Sequence, residues 1–147
     1  RTLLFNNDVS MQKAHVDKSM TNFYRNAHHD EVIFVHRGKG TLHSNYGDLT
    51  FGFGDYIVIP RGVIWKMEIS EPCRFLIIET AGPVETPNRY RNKHGQLTEW
   101  APYCERDIRT PEFVEPVDET GEFELQVKLQ NGIQTYIYKN HLFNLIG

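Results

Sequence analysis

The chain has 147 residues, a length that fits one domain able to bury a core without a disulfide or a metal staple. Its formal net charge of −3 gives no reason to expect nucleic acid or an anionic membrane as a partner, and no apolar run is long enough to span a bilayer. Cys73 and Cys104 suggest neither a disulfide framework nor a metal knuckle, so we expect reduced thiols and a cytoplasmic setting. The start at Arg1 and the apolar stop at residues 145–147 predict a piece of a longer protein.

Short apolar segments separated by Gly, Pro, Asn and Ser predict β-strands along the first 82 residues. The predicted strands cover residues 3–5, 9–16, 32–36, 40–44, 48–51, 56–59, 64–69 and 74–80. Residues 17–30 are polar and predicted to be irregular, whereas residues 38–40 and 70–72 are predicted to be turns. No stretch keeps an apolar face at helical spacing, so the pattern predicts an all-β antiparallel sandwich or barrel.

The composition changes after residue 82. Residues 83–120 hold most of the prolines and many arginines, which predicts an irregular arm; acidic residues interleaved with the arginines favour a protein interface over nucleic acid. Residues 123–129 and 134–138 are predicted to form a hairpin with its turn at residues 130–132. The predicted organisation is therefore a barrel core (1–82), an interface arm (83–120), and a hairpin and strand (121–147) that packs on the barrel or leads into a further domain.

Two spacings define the centre of the chain. Glu31 stands seven positions before Gly38 with an apolar run between them, and Gly54 stands six before Pro60, with Gly62 closing the unit. This pattern resembles the two barrel motifs of the cupin superfamily, whose fold is a jelly roll of antiparallel strands. The resemblance implies a cupin-type β-sandwich or barrel for this chain.

The metal ligands that the cupin motifs usually carry are mostly missing. A cupin metal site takes two His and one Glu from the first motif and one His from the second, a set that suits Fe(II), Mn or Zn. Arg25, Asn26 and Ala27 stand where the resemblance places the histidine pair, and Trp65 stands where it places the last histidine. Only Glu31 fills its place. We therefore predict no catalytic, cofactor-binding or metal-binding residue in this chain.

His29 and His43 are the candidates that could join Glu31 in a metal site if one exists. On a strand, His29 would share the face of Glu31, whereas His28 would point to the other face. His15 is an alternative third ligand. The competing interpretation, which we prefer, is that residues 26–30 form an exposed turn that binds nothing.

Trp65 is predicted to fill the barrel interior, where its indole N–H would need an acceptor. An inward Glu31 must be protonated or paired, and Arg25, Arg61 and Lys66 are the cations that could pair with it.

Longer strings make the resemblance more specific. These are LFNNDV at 4–9, FYRNA at 23–27, GDYIVIPRG at 54–62, PNRYRN at 87–92, APY at 101–103, ERDIR at 105–109 and HLFNLIG at 141–147. Together they resemble the amino-terminal half of the homogentisate 1,2-dioxygenase family over nearly the whole chain.

This resemblance implies a non-haem Fe(II) enzyme that opens an aromatic ring with O2 in tyrosine and phenylalanine catabolism. It implies trimers paired into hexamers, with residues 83–120 as our candidate for such contacts. In that family two His and one Glu of the carboxyl-terminal half hold the iron, so no ligand carries over to a residue here and this chain alone is expected to be inactive. The alternatives are a free-standing cupin metalloenzyme using Glu31 and His29, and a non-catalytic binding or assembly module.

Overall fold

The computed structural model describes residues 1–144, which form nine β-strands and two short 3₁₀ turns. The strands are Thr2–Phe5 (β1), Val9–Val16 (β2), Phe23–Asn26 (β3), Asp30–Ser44 (β4), Gly47–Phe51 (β5), Tyr56–Ile59 (β6), Trp65–Thr80 (β7), Thr120–Leu129 (β8) and Gly132–Asn140 (β9). The 3₁₀ turns are Asn88–Tyr90 and Glu105–Asp107. The all-β prediction is confirmed, and the described part of the chain contains no helix that could cross a membrane. The apolar stop at residues 145–147 lies outside the described residues.

Two long strands, β4 and β7, pair antiparallel along nearly their whole length and hold the barrel together. The predicted turns at residues 38–40 and 70–72 are wrong, because both segments are bends inside these strands. Gly38 adopts φ +90°, and the register shifts around it until Lys39 lies opposite Glu71. A Cβ on Gly40 would lie 2.2 Å from the carbonyl oxygen of Glu68, so the two backbones approach too closely for a side chain. These glycines therefore bend a continuous strand instead of reversing it.

The sheet is mixed. Its strand order is β1-β2-β7-β3-β8-β9, and β4 pairs with β5, β6 and β7. Residues 17–30 were predicted to be irregular, but they contain β3, which pairs in parallel with β8 from Phe23–Leu125 to Asn26–Lys128. A four-residue strand made of Phe-Tyr-Arg-Asn has no clean alternation, and its pairing partner lies about a hundred positions later in the chain. The parallel pairing departs from the purely antiparallel expectation.

The predicted carboxyl-terminal hairpin is confirmed by the antiparallel pairing of β8 with β9. Its Leu125 and Val127 are buried against Phe23 in a small apolar cluster. The main core lies inside the barrel and contains Ile33, Val35, Leu42, Phe51, Ile57, Ile59, Trp65, Met67, Cys73 and Phe75. Cys73 and Cys104 are free thiols.

Residues 81–119 connect β7 to β8 and are fixed to the barrel at a few points. Glu112 exchanges two backbone hydrogen bonds with Asp48 of β5, at 2.9 and 2.7 Å. Arg109 donates to the Asp55 carboxylate at 2.8 Å and to the Thr50 carbonyl at 3.1 Å. The segment therefore covers the outer edge of β5 while leaving Trp100 and Phe113 largely exposed, with 88% and 78% of their surface accessible.

Candidate functional site: a hydrogen-bonded cluster inside the barrel

Four side chains meet at the place that the motif resemblance assigns to a metal. Tyr24 and Asn26 come from one face of β3 because strand side chains alternate. Trp65 lies directly across from Tyr24, with ring centroids 5.1 Å apart in an edge-to-face arrangement. Glu31 is the second residue of β4 and accepts a hydrogen bond from the Tyr24 hydroxyl at 3.3 Å. The inward side chains of this segment are thus Tyr24 and Asn26. The cupin motif instead aligned Arg25, Asn26 and Ala27 with the usual pair of histidine ligands.

Asn26 is the hub of the cluster, and it is fully buried. Its amide oxygen accepts hydrogen bonds from the backbone N–H groups of His28 and His29, at 3.1 and 2.9 Å. Its amide nitrogen donates to Glu31 at 3.2 Å and to Glu79 at 3.0 Å. Because the oxygen is used by the turn that follows β3, the amide N–H groups must face the two carboxyl groups.

Glu79 faces Glu31 across the β4–β7 pair and is the charged member of the two. Its carboxylate accepts hydrogen bonds from Ser10 and Gln12, both at 2.9 Å, and forms an ion pair with Lys128. Burial acts to raise the pKa of Glu79, but the hydrogen bonds from Lys128 and Ser10 and the Lys128 charge outweigh it and hold the pKa below its ordinary value. Glu79 is therefore ionised at neutral pH.

Glu31 has the opposite character. Burial raises its pKa, and the neighbouring Glu79 charge adds to the rise, while the hydrogen bonds from Asn26 and Tyr24 oppose it. None of the three cations considered from sequence pairs with it: Arg61 binds Asp30 at 2.9 Å and Lys66 lies over the Phe23 ring. The second carboxyl oxygen of Glu31 has no partner among the described residues.

Tyr24 completes the cluster as a neutral donor. Burial raises the pKa of its phenol, and the charges of Glu31 and Glu79 raise it further. The phenol therefore keeps its proton and donates a hydrogen bond to Glu31. The pKa is thus raised in Glu31 and lowered in Glu79, whose charge Lys128 compensates.

The four inward groups do not fit a divalent metal ion. The Trp65 indole offers only an N–H donor, and that atom is buried with no hydrogen-bond partner in the described part of the chain. Asn26 turns its amide hydrogens, not its oxygen, toward the centre. Among residues 1–144, no three His, Cys, Asp or Glu side chains converge in a way that could hold an ion.

The three histidines considered as ligands do not converge on one site with Glu31. His29 precedes β4 in the turn, where its ring packs edge-to-face on His28 with centroids 4.4 Å apart, and burial lowers its pKa. His43 lies at the opposite end of β4, where it contacts Asp48 at 2.8 Å and Glu68 at 3.4 Å. His15 is exposed on β2. His29 lines a surface cavity together with Glu79 and Lys128.

Sequence reasoning missed Tyr24, Glu79 and Lys128 as members of the cluster. Alternation along β3 was the available signal for Tyr24, because it shares the parity of Asn26. Glu79 and Lys128 carry no local signal, since they reach the cluster only through long-range strand pairing.

Comparison with solved structures defines the class of protein. The chain superposes on a cupin domain from Schizosaccharomyces pombe with a TM-score of 0.52 and 12% identity, covering 56% of this chain and 63% of that one. It superposes on KdgF from Halomonas sp. with a TM-score of 0.50 and 14% identity, covering 56% and 79%. At these identities the likeness shows the fold, and the fold is that of a cupin.

The family is more specific. The profile of the homogentisate 1,2-dioxygenase amino-terminal domain matches residues 3–133, and the chain belongs to this family. A Saccharolobus solfataricus protein that is provisionally named a dioxygenase is 36% identical over 146 residues. The match covers 99% of this chain but only 38% of that relative, so the chain spans less than half of the curated relative's length.

Proposed function

We propose that this chain is the amino-terminal, largely structural cupin portion of a homogentisate 1,2-dioxygenase-like enzyme. The parent would be a non-haem Fe(II) protein that cleaves an aromatic ring with O2 in tyrosine and phenylalanine catabolism, and its iron would be held outside these 147 residues. The observation that carries the proposal is the replacement of the cupin metal centre by the network of Tyr24, Asn26, Glu31 and Trp65. Family membership and the longer relative support it.

In this proposal the barrel provides a rigid body to which the catalytic part attaches. Its parts would be a barrel core (1–82), an interface arm (83–120) and a carboxyl-terminal part (121–147) that packs on the barrel or leads into a further domain. Trp100 and Phe113 support an interface role for the arm, because large exposed aromatic side chains are enriched at protein contacts. The parent would assemble as trimers or hexamers in the cytoplasm, a compartment that the two free thiols fit.

Oxygen uptake with homogentisate and Fe(II) tests the proposal. We expect no uptake by the 147-residue chain, and uptake by a longer protein that carries it. Tyr24→Phe in the longer protein should leave turnover per bound iron unchanged, because the phenol only donates to Glu31. The matched control is Tyr46→Phe, whose ring is exposed on the same barrel. Uptake by the chain alone, or a fall in turnover per iron in Tyr24→Phe but not in the control, would contradict the proposal.

A further inference from the structure

Basic side chains lie in a row across three strands on the outer face of the barrel. Arg37 of β4 lies opposite Arg74 of β7, and His15 of β2 lies opposite Arg74 on its other side. Phe75, the neighbour of Arg74, is buried in the core, so Arg74 points to the outer face. His15, Arg37 and Arg74 are all exposed. The guanidinium of Arg74 therefore stands between two further basic groups.

A β-bulge adds a fourth basic group to this row. The register shifts between Val35 and Arg37, so His36 is the extra residue, and His36 and Arg37 together face Arg74. The ring centroids of His36 and Phe34 are 6.3 Å apart, and alternation places Phe34 on the outer face. Bulges often re-aim side chains at functional sites, and this one brings a second basic side chain to Arg74. We call His15, His36, Arg37 and Arg74 the basic row.

No carboxylate of the described chain neutralises the basic row. Among residues 1–144, none of its four side chains forms an ion pair or a hydrogen bond. Glu71, the carboxylate that precedes Arg74 on β7, is paired with Lys39 at 2.9 Å. Like charges directly opposite each other on adjacent strands are destabilising, because their Cβ atoms lie only roughly 4.5–5.5 Å apart. An anion held between Arg37 and Arg74 would remove this repulsion.

We propose that the basic row binds the phosphoryl group of a small molecule. A phosphoryl group carries nearly two negative charges and three acceptor oxygens, so it can accept hydrogen bonds from two guanidinium groups and an imidazole at once. A carboxylate carries one charge and is matched by a single bidentate arginine. Two arginines that face each other, with a histidine on each side, therefore favour the phosphoryl group.

The basic row is a local feature and is separate from the buried cluster. The chain as a whole has a net charge of −3, so the row is not part of a generally basic protein. It lies on the outer face of the sheet, whereas Glu31 and Trp65 are buried in the interior. The inference therefore does not depend on the dioxygenase proposal.

Backbone amide NMR of the purified chain, titrated with inorganic phosphate at constant ionic strength, tests the proposal. We expect saturable shifts around the basic row, and a dissociation constant that rises at least about tenfold in Arg74→Gln, because the central guanidinium is lost. The matched control is Arg106→Gln, which removes the same charge from an exposed arginine of the arm and should leave the dissociation constant unchanged. Absence of saturable shifts, or equal weakening in the two variants, would overturn the proposal.

Two further comparisons distinguish a phosphoryl site from a surface that attracts any anion. Arg74→Lys keeps the charge but loses the fork of N–H donors, so its dissociation constant for phosphate should rise about threefold or more. Glycerol 3-phosphate should bind about as tightly as inorganic phosphate, and acetate at least about tenfold more weakly at the same ionic strength. Equal affinity for acetate and phosphate, or wild-type affinity in Arg74→Lys, would contradict the proposal.

Thermal unfolding separates a binding role of Arg74 from a structural one. In chloride buffer, Arg74→Gln should be at least as stable as the wild type, because it removes a like charge opposite Arg37. Phosphate should raise the melting temperature of the wild type, since a ligand of the folded state stabilises it, and should raise that of Arg74→Gln less. A destabilised Arg74→Gln that responds to phosphate as strongly as the wild type would assign Arg74 to folding and refute the site.

Discussion

Two glutamates that face each other across β4 and β7 differ in the partners that the chain gives them. Glu79 has four donors, one of them the cation Lys128, whereas Glu31 has an amide and a phenol and, among the described residues, no ion-pair partner. Each of two carboxylates buried in one network raises the pKa of the other, and the donors determine which of the two has the lower pKa. The chain thereby holds a polar network in the barrel without the neutralising charge of a metal.

Replacing Glu31 tests the direction of its pKa shift. A raised folded-state pKa means that the folded chain binds more protons than the unfolded chain, so its stability falls as pH rises from the ordinary glutamate pKa of about 4.3 toward the raised value. Glu31→Gln cannot ionise and escapes this loss. We expect the melting temperature of Glu31→Gln, relative to that of the wild type, to increase as pH rises between the ordinary and the raised pKa of Glu31.

Glu79→Gln is the matched contrast to Glu31→Gln. The lowered pKa of Glu79 gives stability that is present above the ordinary pKa and is lost as pH falls through the folded-state value. We therefore expect Glu79→Gln to be less stable than the wild type at neutral pH, with the difference shrinking in acid. Parallel pH profiles for the two variants would contradict the opposite pKa shifts of Glu31 and Glu79.

The partner of Glu79 gives a second prediction at this scale. Lys128→Met leaves a buried carboxylate without its cation and should lower the free energy of unfolding by about 3 kcal/mol in chemical denaturation. Lys139→Met is the control, since Lys139 pairs with Glu122 on the same hairpin but both side chains are about three-quarters exposed. Its loss should stay below about 1 kcal/mol. Equal losses would show that the Glu79 pair is not buried in solution.

At the scale of elements, local patterns predicted strands well and their continuity badly. The segments around Val35 and Leu42 were both recognised, but Gly38 was taken to reverse the chain, whereas it bends β4. Positive φ is common to turns and bulges, so glycine alone cannot distinguish them. β3 was missed because a short strand held in parallel by β8 depends on a partner far along the chain.

The cluster in the barrel was predictable only in part, for the same reason. The positions of Glu31 and Trp65 could be predicted from the spacing of the two cupin motifs, because each residue has a fixed place within one motif. Glu79 and Lys128 come from strands that no motif connects, and their approach is set by the pairings of β7 with β4 and of β8 with β3. Tertiary pairing, and not local preference, determines which polar residues share the interior.

The docking of the arm on β5 is tested at Gly47. Its φ is +120°, and an added Cβ would lie 2.0 Å from the carbonyl oxygen of Glu112. Gly47→Ala should therefore separate residues 109–113 from the barrel, with faster proteolytic cleavage in the arm and a loss of stability. Gly62→Ala is the control, with φ +89° and no atom within 4 Å of its Cβ, so it reports backbone strain of about 1–3 kcal/mol without the clash. Arm cleavage that is equally fast in both variants would argue against docking at Glu112.

At the scale of the whole molecule, the strands of the cupin barrel are present, whereas the side chains in its interior differ from those of a cupin metal site. β4 and β7 still form the wall, and the motif glycines still shape it. The interior is occupied by an aromatic pair and a carboxyl–amide network. A barrel filled in this way keeps its rigidity and gives up the open coordination position that metal chemistry needs.

Metal analysis of the chain after incubation with Fe(II), Mn(II) or Zn(II) and removal of free ions tests this central claim most directly. We predict that far less than one ion per chain is retained, and that Asn26→Ala does not alter the amount. Retention of one ion per chain, lost on Asn26→Ala or Glu31→Gln, would show that the interior is a metal centre and contradict the account.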